Sequence, residues 1–175
     1  MFLPIGDSPN PPGTPYVNYT LIGLNIAVFI LVTLPLSGTA PDLTSPLLQE
    51  YLQILGAQEN LPPQVILEHI SAYDLVVLEY GFRPAEASIL TLFSAMFLHA
   101  NFMHLFGNML FLWIYGDNVE HRLGRVGYLV AYLLTGIAST AFFSLFTLGS
   151  QVPMIGASGA ISGVLGLYFI WFRNQ

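Results

Sequence analysis

Residues 126–172 read VGYLVAYLLTGIASTAFFSLFTLGSQVPMIGASGAISGVLGLYFIWF, 47 positions without one Asp, Glu, Lys or Arg. A helix that crosses a membrane needs about 20 consecutive, mostly apolar residues. This stretch therefore holds two such helices. The turn between them falls at Gly149-Ser150-Gln151-Val152-Pro153, where Gly and Pro punctuate the apolar run. Upstream, residues 8–41 and 87–116 form charge-free stretches of 34 and 30 residues, each long enough for one helix. The chain as a whole is 54% hydrophobic and 8% charged. A soluble domain carries about 25% charged residues, which keep its surface in water. The pattern is that of an all-α, polytopic bundle of membrane helices.

Other classes are disfavoured on composition. The net charge is −6 and the chain has no Lys, so no basic patch for nucleic acid is expected. The absence of Cys excludes a disulfide framework and a thiolate metal site. The segment 1–18 lacks a basic signal-peptide start. Its prolines (Pro4, Pro9, Pro11, Pro12, Pro15) suggest an extended lead-in.

The spacing predicts spans at 19–36, 100–118, 126–148 and 157–173, with a long loop at 37–98. Within that loop, 46–58 and 62–73 each begin at Pro and show helical spacing, as for Leu48, Tyr51, Leu52 and Leu55. They read as short amphipathic helices at the membrane surface. Residues 75–80 are read as a strand or an extended stretch.

Lys and Arg collect on the cytoplasmic side of membrane proteins. Arg122 and Arg125 lie between the second and third spans, and Arg173 follows the fourth. The long loop carries one Arg, Arg83, against seven acids: Asp42, Glu50, Glu59, Glu68, Asp74, Glu79 and Glu86. The N-terminus is thus predicted to be cytoplasmic and the long loop outside. His99, His104 and Asn108 then fall near the outer end of the second span, and Ser158 at the outer end of the fourth. Asn108 lies one helical turn below His104 on nearly the same face.

Gly156-Ala157-Ser158-Gly159 is the sharpest local motif. Gly156 and Gly159 let another backbone or a substrate approach Ser158 closely. Ser158 stands where a loop enters a helix, so nearby N–H groups lack intrahelical partners and can stabilise an oxyanion. The plain alternative is a helix N-cap flanked by packing glycines. His99, His104 and Asn108 are costly inside a membrane and mark either a site or interhelical hydrogen bonding. A metal site is disfavoured. The spacing of five between the histidines turns about 140° around a helix, unlike the i, i+4 pair of a zinc helix. Gly159, Gly163 and Gly166 present a smooth face for helix packing.

Three groups of residues together resemble the rhomboid family. Met96-Phe97-Leu98-His99, His104 and Asn108-Met109 resemble the signature of its second helix. Gly116-Asp117-Asn118-Val119-Glu120 with Arg122 and Gly124 resembles the segment that follows. Ile155-Gly156-Ala157-Ser158-Gly159-Ala160-Ile161-Ser162-Gly163-Val164-Leu165-Gly166 resembles its serine helix. The resemblance covers Gly81 to the C-terminus.

It implies a rhomboid-like bundle with four of six transmembrane helices present. It also implies an intramembrane serine endopeptidase without metal or cofactor. Ser158 would be the nucleophile, His104 and Asn108 would donate to the oxyanion, and His99 would support the site or its water access. Glu120 and Arg122 would hold the inner end of the second helix. The general base would be a His on a sixth helix, so this chain alone is expected to be inactive. His69 and His121 cannot substitute for it, because one lies in the outer loop and the other near the cytoplasmic face. The implied partners are transmembrane protein substrates, the lipid bilayer, and helices that take the place of the fifth and sixth. The implied location is a bacterial inner (plasma) membrane.

Two departures stand out: Ser162 replaces an aromatic residue that some members carry one turn after the Ser, and Leu90-Thr91 stands near where some carry a Trp-Arg pair. The alternative reading is a non-catalytic rhomboid-like protein that binds transmembrane clients. A small transporter or channel subunit would need ionisable residues at mid-bilayer in several helices, whereas the candidates here cluster at one end.

Overall fold

The computed structural model describes residues 12–59 and 62–172. Most of the proline-rich lead-in, with Pro4, Pro9 and Pro11, and Arg173 beyond the last helix lie outside the described residues. All regular elements among the described residues are helical.

Helix α1 (Tyr16–Val28) runs through a wide π turn (Phe29–Thr33) into α2 (Leu34–Ser37), forming one apolar rod, Tyr16–Ser37. Pro35 accounts for the wide turn. It has no N–H to donate to the preceding turn, and its ring would crowd the carbonyl four residues earlier. Loosening the ladder immediately before it relieves both problems.

The long loop is largely helical. Helix α3 (Pro46–Glu59) coincides with the first predicted surface helix. The second is split into α4 (Pro63–Leu67) and α5 (Ala72–Tyr80). The cause is a local cap: the Ser71 N–H and Oγ–H both donate to Asp74 Oδ2, at 2.8 and 2.7 Å. That pairing starts a new helix at Ala72, so 75–80 is helical and not a strand. A short 3-10 turn (Pro84–Glu86) leads to α6 (Ile89–Ser94), where Ser88 Oγ accepts the Thr91 N–H at 3.1 Å.

Helix α7 spans Phe102–Phe146 and is broken at Gly124, whose φ of 73° and ψ of 165° are non-helical. Its two arms, 102–123 and 125–146, overlap the stretches 100–118 and 126–148, where spans are predicted, each of which runs two residues past its arm. The second arm runs back beside the first. Gly116 faces the Tyr128 hydroxyl, and Gly136 faces the Met96 side chain, which lies just before the first arm. Helix α8 (Ser158–Phe172) packs extensively on α7. Gly163 lies directly against Thr135, and a Cβ at Gly159 would sit 2.7 Å from Ser139 Oγ. Small residues thus allow α8 to approach the second arm closely.

Tyr16–Ser37 and Phe102–Phe146 are long and apolar enough to cross a membrane, and Ser158–Phe172 is apolar but shorter. Their outer faces expose Leu31, Phe142, Phe146 and Ile170. Such an apolar exterior suits lipid and would be a liability in water. The interior is tightly filled by Leu112, Val119, Tyr128, Tyr132, Ala157 and Val164.

Candidate active site

Asn101 opens α7 in extended conformation, and its Oδ1 accepts the His104 N–H at 2.9 Å. This N-cap satisfies one of the free donors at the helix start. It also fixes His104 in the first turn, one turn above Asn108. The two side chains share a cleft with Ser158, Met103, Phe111 and Leu165. Ser158 itself is exposed at the start of α8, while Ala157 before it is fully buried. His104, Asn108 and Ser158, all predicted from sequence, are therefore brought together.

Gly156 explains how closely the pieces meet. Its φ of 115° lies in a region that L side chains rarely adopt. A Cβ there would stand 2.6 Å from His104 Nε2 and 3.7 Å from Asn108 Nδ2. The backbone entering α8 thus passes against the His104 ring. Gly159 serves a different contact: its free face meets Ser139 of the second arm, so its small size permits helix packing.

The donor chemistry can be read from the hydrogen bonds. The Ala100 N–H points at His104 Nδ1 across 3.4 Å, which makes Nδ1 the acceptor. A neutral imidazole then carries its proton on Nε2, the nitrogen beside Gly156. Asn108 Nδ2 is buried with no partner among the described residues. A buried amide without an acceptor is costly unless something is meant to occupy its reach. Further N–H groups come from the first turn of α8, which has no intrahelical acceptors for them.

His99 lies behind this cleft, fully buried, with its ring edge-on to His104 at 5.0 Å. Its carbonyl accepts the Tyr73 hydroxyl of α5 at 3.0 Å. Burial pushes the Tyr73 hydroxyl above its usual pKa, which keeps it a donor. This link from the outer loop to the histidine segment had no signal in the sequence beyond an apolar helix face.

At the opposite end of the bundle, Glu120 is buried and accepts two backbone N–H groups, from Val17 at 3.1 Å and Asn18 at 2.7 Å. It thereby caps the start of α1. Arg122 lies over the Trp171 ring at 5.6 Å, near the end of α8. Both residues hold other helices to the lower part of the first arm. His121 sits at this same end, and its Nδ1 pairs with the Asp117 carbonyl at 2.7 Å.

The fold is thus a membrane helix bundle with a serine, an asparagine and a histidine gathered at one end. The chain belongs to the rhomboid family. The family's domain model, described as "Rhomboid domain", matches residues 86–175, just over half of the chain.

Among curated relatives, the rhomboid protease GluP of Bacillus subtilis is 31% identical over 164 residues, which is 93% of this chain and 26% of that protein. The mitochondrial rhomboid protein 1 of Saccharomyces cerevisiae is 29% identical over 160 residues, covering 89% of this chain and 36% of that one. The chloroplastic rhomboid-like protein 11 of Arabidopsis thaliana is 38% identical over 74 residues, 42% of this chain and 26% of its own. The chain therefore spans about a quarter to a third of the length of these relatives. No solved structure matches it.

Proposed function

We propose that this chain is part of an intramembrane serine endopeptidase that cleaves transmembrane-segment substrates, with Ser158 as its nucleophile. The observation that carries the reading is the cleft shared by Ser158, His104 and Asn108, with Asn108 Nδ2 unpartnered among the described residues. In this scheme the Ser158 oxygen attacks the scissile carbonyl carbon. The serine proton passes to a base, and the carbonyl becomes an oxyanion. Asn108 Nδ2, His104 Nε2 and the first N–H groups of α8 donate to that oxyanion. His104 acts here as a donor, because its Nδ1 already faces the Ala100 N–H.

The base is assigned to a helix of the whole protein outside these 175 residues. The four spans are accordingly read as part of a six-helix domain, and residues 1–175 alone are predicted not to hydrolyse peptides. Partners are transmembrane substrates, the bilayer and the helices that complete the bundle. The membrane is read as a bacterial plasma membrane, with the N-terminus in the cytoplasm.

The test is labelling of the full-length protein in detergent with a serine-reactive fluorophosphonate. Wild type should take up the label and Ser158→Ala should not. Equal labelling of the two would overturn the assignment. An unlabelled wild type would favour a client-binding protein without catalysis.

A further inference from the structure

The segment that delivers Ser158 to the cleft, residues 147–157, is not helical, and its position is set from outside. Phe82 and Met154 form an antiparallel bridge, exchanging N–H to carbonyl bonds of 2.9 and 2.8 Å. The Ala85 N–H donates to the Ser150 carbonyl at 3.0 Å, and the Gly156 N–H to the Ala95 carbonyl at 2.8 Å. A Cβ on Gly81 would come within 2.9 Å of Pro153 Cβ and 3.1 Å of Ile155 Cγ2. All these partners belong to the loop between the first two spans.

One side chain locks the two pieces together. Arg83 donates through Nη1 to Glu50 Oε1 of α3 at 2.7 Å and to Gln151 Oε1 at 3.1 Å, and through Nη2 to Glu86 Oε2 at 2.9 Å. Gln151 Nε2 closes the ring by donating to Glu86 Oε1 at 3.2 Å. The Arg83 side chain is only 10% exposed, while those of Glu50 and Glu86 are 40% and 52% exposed, so the guanidinium is the sheltered partner of both pairs. It is also the one cation in a loop that carries seven acids.

We propose that Arg83 is a positioning residue for Ser158: it clamps the segment that enters α8 to the outer loop and so sets where the serine and the adjacent N–H groups stand. This rests on the serine-protease reading above. Removing the guanidinium takes away the group that joins Glu50, Glu86 and Gln151, and leaves Gln151 only its bond to Glu86 in this network. A lysine cannot replace it fully, because a single ammonium lacks the planar fork that meets two carboxylates and an amide at once. A shift of the serine by about 1 Å can cost up to about a hundredfold in rate.

The experiment uses the full-length protein in detergent, with Arg83→Met, Arg83→Lys, Gln151→Leu and the Arg83→Met/Gln151→Leu double variant. Four properties are measured: the fluorophosphonate labelling rate, kcat and KM on a transmembrane reporter, the unfolding midpoint, and amide hydrogen exchange over residues 150–156. Arg83→Met should label and turn over roughly tenfold or more slowly, with KM and the midpoint near wild type. Exchange at Met154 and Gly156 should quicken. Arg83→Lys should fall between the two. Gln151→Leu should act in the same direction, and its effect should not add to that of Arg83→Met, since both break one network. Gln151→Leu also carries the test should Arg83→Met fail to fold.

Wild-type rates with unchanged exchange would overturn the proposal. So would a slower rate matched by a general loss of stability and exchange rising throughout the bundle. A wild type that takes no label sinks the serine-protease reading instead. Exchange then decides the clamp alone: unchanged exchange at 150–156 in Arg83→Met refutes it, and quickening confined there supports it.

Discussion

Asn108 is one of several buried residues, His99 among them, with a side-chain polar atom that lacks a hydrogen bond to a described residue, and it is the one of them that lines the Ser158 cleft. It is buried, yet its Nδ2 has no acceptor among the described residues, and it lines the cleft with Ser158. A donor held this way has more to gain from a developing negative oxygen than from a ground-state carbonyl. On the proposed mechanism, Asn108→Ala in the full-length protein should therefore lower kcat by about 10²–10³, the usual effect of losing one oxyanion donor. KM should change little. A change confined to KM would show that Asn108 binds substrate rather than the transition state. Gly156 belongs to the same scale. Its positive φ and the nearness of His104 leave no room for a side chain, so the approach of loop to ring depends on this glycine.

Among the elements, α1 depends on a residue about a hundred positions away. Tyr16–Val28 has no side-chain cap of its own: Pro15 stands at its N-cap position. Its first N–H groups would be unsatisfied in a low-dielectric setting. Glu120 accepts two of them, and Asn18 completes the joint by donating to the Leu112 carbonyl at 3.0 Å and accepting from the Tyr128 hydroxyl at 2.8 Å. One acid thus joins the start of the first span to the lower end of the first α7 arm. Glu120→Ala should destabilise the bundle by roughly 2–4 kcal/mol, since two charge-assisted bonds are lost in a buried place. Thermal unfolding in detergent checks this. A midpoint equal to wild type would mean that water replaces the carboxylate at no cost.

For the whole molecule, the packing sorts the charges between two ends. Arg125 lies over the Tyr16 ring at 4.5 Å, and Arg122 over Trp171, so the start of the first span, the kink of α7 and the end of α8 share one end. Arg83, Gln151, His104 and Ser158 lie at the other. With seven acids and one Arg in the long loop, the positive-inside rule predicts that loop to be outside. The protein has no native Cys, so single cysteines report cleanly. Ser45→Cys should react with a membrane-impermeant maleimide in intact cells, and Arg125→Cys should not. The reverse pattern would turn the bundle over and bring Ser158 to the cytoplasmic side.

The helical class and the run of apolar segments are legible in the residues alone, because span length and charge-free composition are local properties. The sequence also placed His104 and Asn108 on one face, since a spacing of four on a helix allows little else. It did not resolve 75–80, whose helix is started by the Ser71–Asp74 cap, nor the single kinked rod from Phe102 to Phe146. Arg83 was visible only as a lone cation among acids. Its pairing with Gln151, 68 residues away, needed the loop to dock on the turn before α8. The same holds for Glu120 at the start of α1, 102 residues from Asn18. Such contacts are decided by how the helices pack, because no local spacing brings their partners within the reach of a hydrogen bond.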